Sequence, residues 1–412
     1  MQPARTAFAR ALVAIAVLGM ALRAIYLFTI ARHVTGIGDW HFYHWQANLI
    51  ADGHGFIEPY KFIFDHDVSP SAGHPPLYPL ALSVVSLLGG ESELSHRALG
   101  LLLGAATIVL VGCLGRRVAG PRIGLLAAGL CAVYPLMIAV DGALMSETLY
   151  GPLIAAILLC AYRLKDRPGL VPAAALGALI ALAALTRTEG LLFLPILALP
   201  VALRGGRGGR ARAVVVVAAC VVVIAPWTIR NAVRFHAFVP ISTNDATVLA
   251  GANCPLTYHG VDLGGWNVVC ISPRTKDNEA QQAAIWRREG LDYARDHAGR
   301  LPVVAAVRLL RIWDLWQPRR QVMFAEGRQR RTEQAGVAVY YLLMVVAAGG
   351  VAVLRRRGAS LLVLLAPAVV VCLSAVTGYG VPRLRHSFEI PLLVLAAVGL
   401  QALWERRPRA AA

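Results

Sequence analysis

The sequence predicts an all-α polytopic membrane protein of about ten transmembrane helices, with interfacial helices and a small extracytoplasmic domain. Three observations predict it. Apolar residues make up 57% of the 412-residue chain, mean hydropathy is +0.60 and charged residues are 15%, against about a quarter charged in soluble domains. Several stretches run roughly 20 residues with almost no charge, the length a helix needs to cross ~30 Å of hydrocarbon. Basic residues gather in alternate loops between those stretches, as membrane orientation demands. A soluble multidomain chain is thereby excluded.

The apolar spans fall at about 10–31, 95–115, 123–140, 148–163, 170–186, 190–203, 213–229, 335–354, 359–377 and 388–404; tilt or local thinning accommodates the short ones. Residues 11–22 resemble a signal-peptide core, but the apolar run continues to Ile30 with no small-residue cleavage motif, so a retained first span is expected. With the N-terminus inside, the cytoplasmic segments (Met1–Arg10, Arg116–Arg122, Arg163–Gly169, Arg204–Arg212, Arg355–Arg357 and Glu405–Arg409) carry 18 basic and two acidic residues. The net charge of +17 is thus a matter of orientation, and no basic–aromatic pattern points to nucleic acid.

Pro75–Gly89 is apolar but short and opens on Pro75-Pro76 and Pro79, so a re-entrant or interfacial helix on the outer face is expected. The first outer loop then runs over 32–95 with seven acidic residues against Arg32 and Lys61, and closes an N-terminal core spanning 1–229. A second outer segment, 230–334, is polar and Gly-rich early and helical from Asp277. Its stretch Leu301–Trp316 is amphipathic, with Arg308, Arg311 and Asp314 interrupting the apolar face, and is read as interfacial. The basic run Arg319, Arg320, Arg328, Arg330, Arg331 lies outside and breaks the charge rule. Residues 335–412 supply the last spans.

Chemistry is sought at the outer ends. Asp39, Tyr43 and Ala47 share one helical face just after the first span, with Trp40, Phe42 and Trp45 to seat that helix in the interface. A carboxylate held there suits a general base acting on a hydroxyl; taken alone, a helix N-cap is the stronger reading. Arg187, Arg230, Arg383 and Arg385 fall at the outer interface, where planar, permanently charged donors suit phosphate oxygens and where headgroup anchoring is the alternative. His41, His44, His54, His66 and His74 crowd the first loop without any defined metal spacing, which points to no metal or, at most, one divalent ion near Asp39. Five cysteines lie in apolar spans as packing residues. Cys254 and Cys270 lie in the second outer segment, where an oxidising compartment would join them as a disulfide.

The string Gly38-Asp39…Tyr43…Ala47…Gly53…Gly55-Phe56, followed by His74-Pro75-Pro76-Leu77-Tyr78-Pro79, resembles the first outer loop of the glycosyltransferase C superfamily. It is most similar to its family 39-like branch, with bacterial relatives of protein O-mannosyltransferases and of the lipid A aminoarabinose transferase. The resemblance continues through Ser146-Glu147-Thr148-Leu149-Tyr150, Leu185–Gly190 and Ala225–Asn231 to Tyr379–Arg385, with Thr188 departing from the proline relatives often have there. It implies a plasma-membrane enzyme that moves a sugar, with inversion, from a polyprenyl-phosphate donor to a hydroxyl on the outer face. The acceptor would be a glycan, glycolipid or protein. Asp39 matches the catalytic base, and Glu147, with Asp141 as rival, the second acid. Tyr43, His74, Arg187, Arg230, Tyr379, Arg383 and Arg385 are the substrate-binding candidates, with His386 beside them. A transporter or lipid flippase is the alternative class; it expects inverted repeats and midplane ionisable residues, neither of which the sequence displays.

Overall fold

The structure, a computed structural model, describes residues 2–34, 38–204, 206–321 and 326–405; the basic residues Arg406, Arg407 and Arg409 lie outside them. It is built from helices, and the described residues contain no named strand, only an isolated bridge between Ile57 and Pro70. In chain order, α1 (Gln2–Thr29) is followed by α2 (Asp39–Ala51), α3 (Pro59–Asp65) and α4 (Leu77–Leu87), which make up the first outer loop. Next come α5 (Glu93–Ala119), α6 (Pro121–Val133), α7 (Pro135–Gly142), α8 (Glu147–Asp166) and α9 (Leu170–Thr186). A 3₁₀ turn at Thr188–Leu192 and a π turn at Leu194–Ala198 lead into α10 (Leu199–Leu203) and then α11 (Gly209–Phe235).

The second outer segment holds α12 (Asn244–Ala252), α13 (Pro255–Tyr258), α14 (Glu279–Asp296), α15 (Leu301–Ile312) and α16 (Pro318–Gln321). The chain then forms α17 (Arg330–Arg356), α18 (Leu362–Thr377), a 3₁₀ turn at Pro382–Arg385, and α19 (His386–Glu405). Among the described residues six helices are long and apolar enough to cross a membrane, or seven if α6 and α7, bent by 57° where Pro135 cannot continue the ladder, form one span. Shorter apolar helices at Leu77–Leu87, Leu170–Thr186, Thr188–Leu203 and Leu362–Thr377 complete the set. The 11 residues of α4 reach only about 16 Å at 1.5 Å per residue, too little to span hydrocarbon, as its prolines led one to expect.

Helix α19 is the axis of the bundle, with every residue from His386 to Gly399 buried. It meets α17 through small residues: a Cβ on Gly350 would stand 2.0 Å from the Leu395 carbonyl, and one on Gly399 2.1 Å from that of Val346. Backbones approach this closely only where side chains are absent.

One ion pair is buried inside the bundle near the first helix. Arg23 Nε donates to Asp141 Oδ2 at 2.6 Å, and its other nitrogens to the carbonyls of Gly19, Cys131 and Ala132. Gly104 leaves the room for that pair, since a Cβ there would sit 2.4 Å from Asp141.

Helix α15 turns its two arginines towards the protein. Arg308 and Arg311 are buried and point inward, donating to the carbonyls of Val376, Ala252 and Gly380, because these are the unpaired acceptors at the loop and helix ends they face. Part of the outer basic run is neutralised by ion pairs, Arg320 with Asp262 and Arg328 with Glu333. Cys254 and Cys270 are bonded, Cα atoms 6.1 Å apart, tying the start of α13 to the loop that follows it.

Candidate active site

A cavity of ≈ 370 Å³ opens where the loop segments around Asp39, His74 and Asn244 meet the C-terminal ends of α9 and α18, within the size range of small-molecule sites. Its lining combines polar side chains, among them Asp39, His74, Arg187, Glu189 and Arg383, with the apolar Leu192, Val248, Leu249 and Leu384.

Asp39 is the first residue of α2. The N-cap position belongs to Gly38, and no side chain caps the helix, so capping does not account for the carboxylate. A third of its side chain remains exposed to the cavity. Asp39 Oδ2 lies 3.3 Å from Nη2 of Arg383, and Oδ1 lies 3.9 Å from Nε2 of His74. Tyr43, one turn further along α2, places its hydroxyl 3.3 Å from His74 Nδ1.

The electrostatics follow from these neighbours. Burial pushes the Asp39 carboxyl up, but the charges of His74 and Arg383 outweigh it and hold it below the ordinary carboxylate range. Burial also pushes His74 below its usual value, against the pull of the Asp39 carboxylate. Arg383 is itself shared: Nη1 meets Glu326 Oε2 at 2.8 Å, and the Glu326 carboxylate faces the backbone N–H of Asp39. Burial raises Glu326.

Arg187 repeats the pattern on the far side. Its Nε donates to Glu189 at 2.6 Å and its Nη1 lies 3.0 Å from Glu147 Oε1. The Glu147 contact is charge proximity without hydrogen-bond geometry, and both oxygens of that buried carboxylate lack a hydrogen-bond partner. Each arginine of the cavity is therefore flanked by two carboxylates.

The second outer segment completes the wall. Glu279 accepts from the Ala72 N–H at 2.9 Å and from Thr243 Oγ1 at 2.6 Å, while Ser242 Oγ donates to the Gly73 carbonyl at 2.9 Å. These bonds clamp the irregular stretch 71–74 and so fix His74. Beyond the clamp, Asn244 and Asp245 open α12 on the cavity.

Of the sequence-predicted residues, Asp39, Tyr43, His74, Arg187, Tyr379 and Arg383 line the cavity, with Glu147 directly behind Arg187. Four others lie apart. Asp141 is taken up by Arg23. Arg230 donates to the carbonyls of Ser71 and Phe56 and lies over the rings of Trp227, Phe56 and Phe235, pinning the first outer loop. Arg385 is sealed between Asp314 (2.5 Å) and Glu389 (2.7 Å) under Tyr340. His386 is buried against Gly151.

Sequence reasoning missed Glu189, Ser242, Asn244, Asp245 and Glu326. Only Glu189 carried a signal, inside the Thr188-Glu189-Gly190 motif. Among the described residues no three His, Cys, Asp or Glu side chains converge as a metal site.

The sequence profile of the dolichyl-phosphate-mannose-protein mannosyltransferase family matches residues 73–229. Oligosaccharyltransferase AglB from Archaeoglobus fulgidus, solved with an inhibitory peptide and a dolichol-phosphate, superposes with TM-score 0.58 at 16% identity, over 97% of this chain and 50% of that one. The same protein with Zn and sulfate gives 0.55 at 17% identity, over 96% and 49%. ArnT from Cupriavidus metallidurans bound to undecaprenyl phosphate gives 0.45 at 18% identity, over 96% and 79%. No curated protein matches by sequence. The chain spans about half the length of the AglB chains it matches, and at such identity the likeness establishes the fold. Profile and fold together bear out the resemblance to the glycosyltransferase C superfamily.

Proposed function

We propose that this protein is a membrane glycosyltransferase that moves a sugar from a polyprenyl-phosphate donor to a hydroxyl of a glycan, glycolipid or protein acceptor. We place the reaction on the extracytoplasmic face of the plasma membrane. The observation that carries the reading is Asp39: a partly exposed carboxylate, held 3.3 Å from Arg383, in a cavity lined by both polar and apolar side chains. Such a cavity suits a ligand that is half lipid and half sugar phosphate. The family profile names a lipid-phosphate-dependent sugar transferase, and the relatives' structures hold dolichol-phosphate or undecaprenyl phosphate.

In this mechanism the acceptor oxygen attacks the anomeric carbon as its proton passes to Asp39. The carbon–oxygen bond to the phosphate breaks, and the lipid phosphate leaves with the electron pair. Arg187 and Arg383 receive its charge. A phosphate drawing Arg383 towards itself weakens the Arg383–Asp39 pair, which makes Asp39 a stronger base when a base is needed. The bundle's roughly ten crossings set the outer ends around this cavity, and no step is routed through a metal.

Two measurements test the reading. Purified protein supplied with a panel of polyprenyl-phosphate sugars should transfer one of them; no turnover with any donor counts against it. Tags at the N-terminus, at Arg207 and after Arg409 should report cytoplasm, and one at Asn253 the outside. A cytoplasmic signal at Asn253 would put the cavity on the wrong face.

A further inference from the structure

A second cavity, of ≈ 270 Å³, lies on the other side of Arg383 and Tyr379. Glu326 belongs to its lining and not to that of the catalytic cavity, so it reaches Arg383 from behind. Its Oε2 takes Nη1 of Arg383 at 2.8 Å, closer than the 3.3 Å between Arg383 and Asp39. Its carboxylate also faces the N–H of Asp39, the first residue of α2, whose own N-cap offers no side-chain acceptor. The free N–H groups and the dipole of a helix start favour an anion at that point. The backbone beside Glu326 is fixed. Gly327 has φ +67°, and a Cβ there would stand 2.5 Å from the Ala143 carbonyl. One residue on, Arg328 donates to both oxygens of Glu333 at 3.1 Å.

The charges give this second carboxylate a role. Arg383 alone beside Asp39 would leave a weak base, because an opposite charge within ~4–6 Å lowers a carboxylate's affinity for a proton. With Glu326 on the same guanidinium, two anions share one cation. The group keeps a net negative charge, and Asp39 keeps more of its basicity. The same surplus opposes an arriving phosphate, so Glu326 sets base strength against donor affinity.

We propose that Glu326 is a positioning residue of the transferase: it holds Arg383 from behind and limits how far that guanidinium neutralises Asp39. It acts through Arg383 and touches neither the substrates nor the transferred proton. The inference rests on the transferase reading. Besides Arg383 and Asp39, the titratable groups that face Glu326 are Glu147 from α8, Tyr379 from the loop before the 3₁₀ turn, and Tyr60 from α3. The substitutions that test the proposal leave all of them in place.

The test uses the full chain reconstituted in lipid, with a polyprenyl-phosphate sugar that wild type turns over. Glu326→Gln keeps an amide oxygen for the Asp39 N–H and removes the charge. Donor KM should fall about threefold, because the phosphate meets one anion fewer, while kcat falls about tenfold as Asp39 weakens. The acid limb of the rate should move to lower pH. A residue that only supports the fold would not move the two constants in this way. Glu326→Asp keeps the charge and should restore both in part. Should Glu326→Gln fail to fold, Glu326→Asp carries the test: its carboxylate is drawn back from Arg383, so both constants should shift the same way by a smaller factor. Unchanged KM and kcat, or a raised donor KM with the acid limb in place, overturns the proposal and leaves the transferase reading standing. No turnover by wild type with any donor removes the reading and the proposal together.

Discussion

Arg383 and Arg385 stand two residues apart in one 3₁₀ turn and face opposite environments. The Arg383 side chain is 12% exposed, lines both cavities, and is shared by Asp39 and Glu326, each a third exposed. The Arg385 side chain is 1% exposed and lies between Asp314 and Glu389, themselves 1% and 4% exposed. The first arrangement is open, so a ligand can exchange partners within it; the second is closed, and exchange there would leave a bare charge in the bundle. The same residue type in one motif thus stands open to a cavity in one case and sealed in the bundle in the other.

The largest effect expected from this contrast falls on folding. Arg385→Ala leaves two buried carboxylates facing each other, and breaking a buried pair costs about 3–5 kcal/mol; the variant should express poorly and melt early. Arg383→Ala should fold, with donor binding weakened more than acceptor binding, and Arg383→Lys should restore it only in part because it lacks the guanidinium fork. Equal thermal losses in Arg383→Ala and Arg385→Ala would erase the distinction. A second closed element gives the next effect. Cys254→Ser with Cys270→Ser reopens a loop of 16 residues, worth ~3 kcal/mol in the chain-entropy model. Thermal stability should fall while the rate of transfer at low temperature holds, and free thiols in the native non-reduced protein would contradict the bridge.

The smallest effect sharpens the open side. The Asp39 carboxyl is held below its ordinary value, burial being outweighed by its cationic neighbours. Its contribution as an ionised base is therefore present above the unfolded value of about 3.9 and lost only as pH falls through the lower folded value. Arg383→Gln removes one of those cations, so the acid limb of the residual rate should move to higher pH. A limb that stays in place would mean that Arg383 does not tune Asp39.

Much of the bundle was legible in the sequence because apolar length and loop charge report it directly. The span read at 170–186 coincides with α9, and that read at 148–163 sits inside α8. Asp39 and Arg383 were legible as motif members, but their pairing joins residues 344 apart in sequence, which no local pattern encodes. The carbonyl partners of Arg308 and Arg311 were not legible, because an amphipathic stripe looks alike whether its cations face headgroups or buried carbonyls. Glu326 and Asn244 carried no signal, since their place depends on how the second outer segment folds back over the first.

The most direct test of the account is Asp39→Asn, measured with the polyprenyl-phosphate sugar that wild type turns over. The substitution keeps size and hydrogen bonding and removes basicity. Transfer should fall by ~10²–10⁴-fold while thermal stability and donor binding stay close to wild type. Near-normal turnover in this variant would mean that the carboxylate beside Arg383 is not the base, and the mechanism built on it would be wrong.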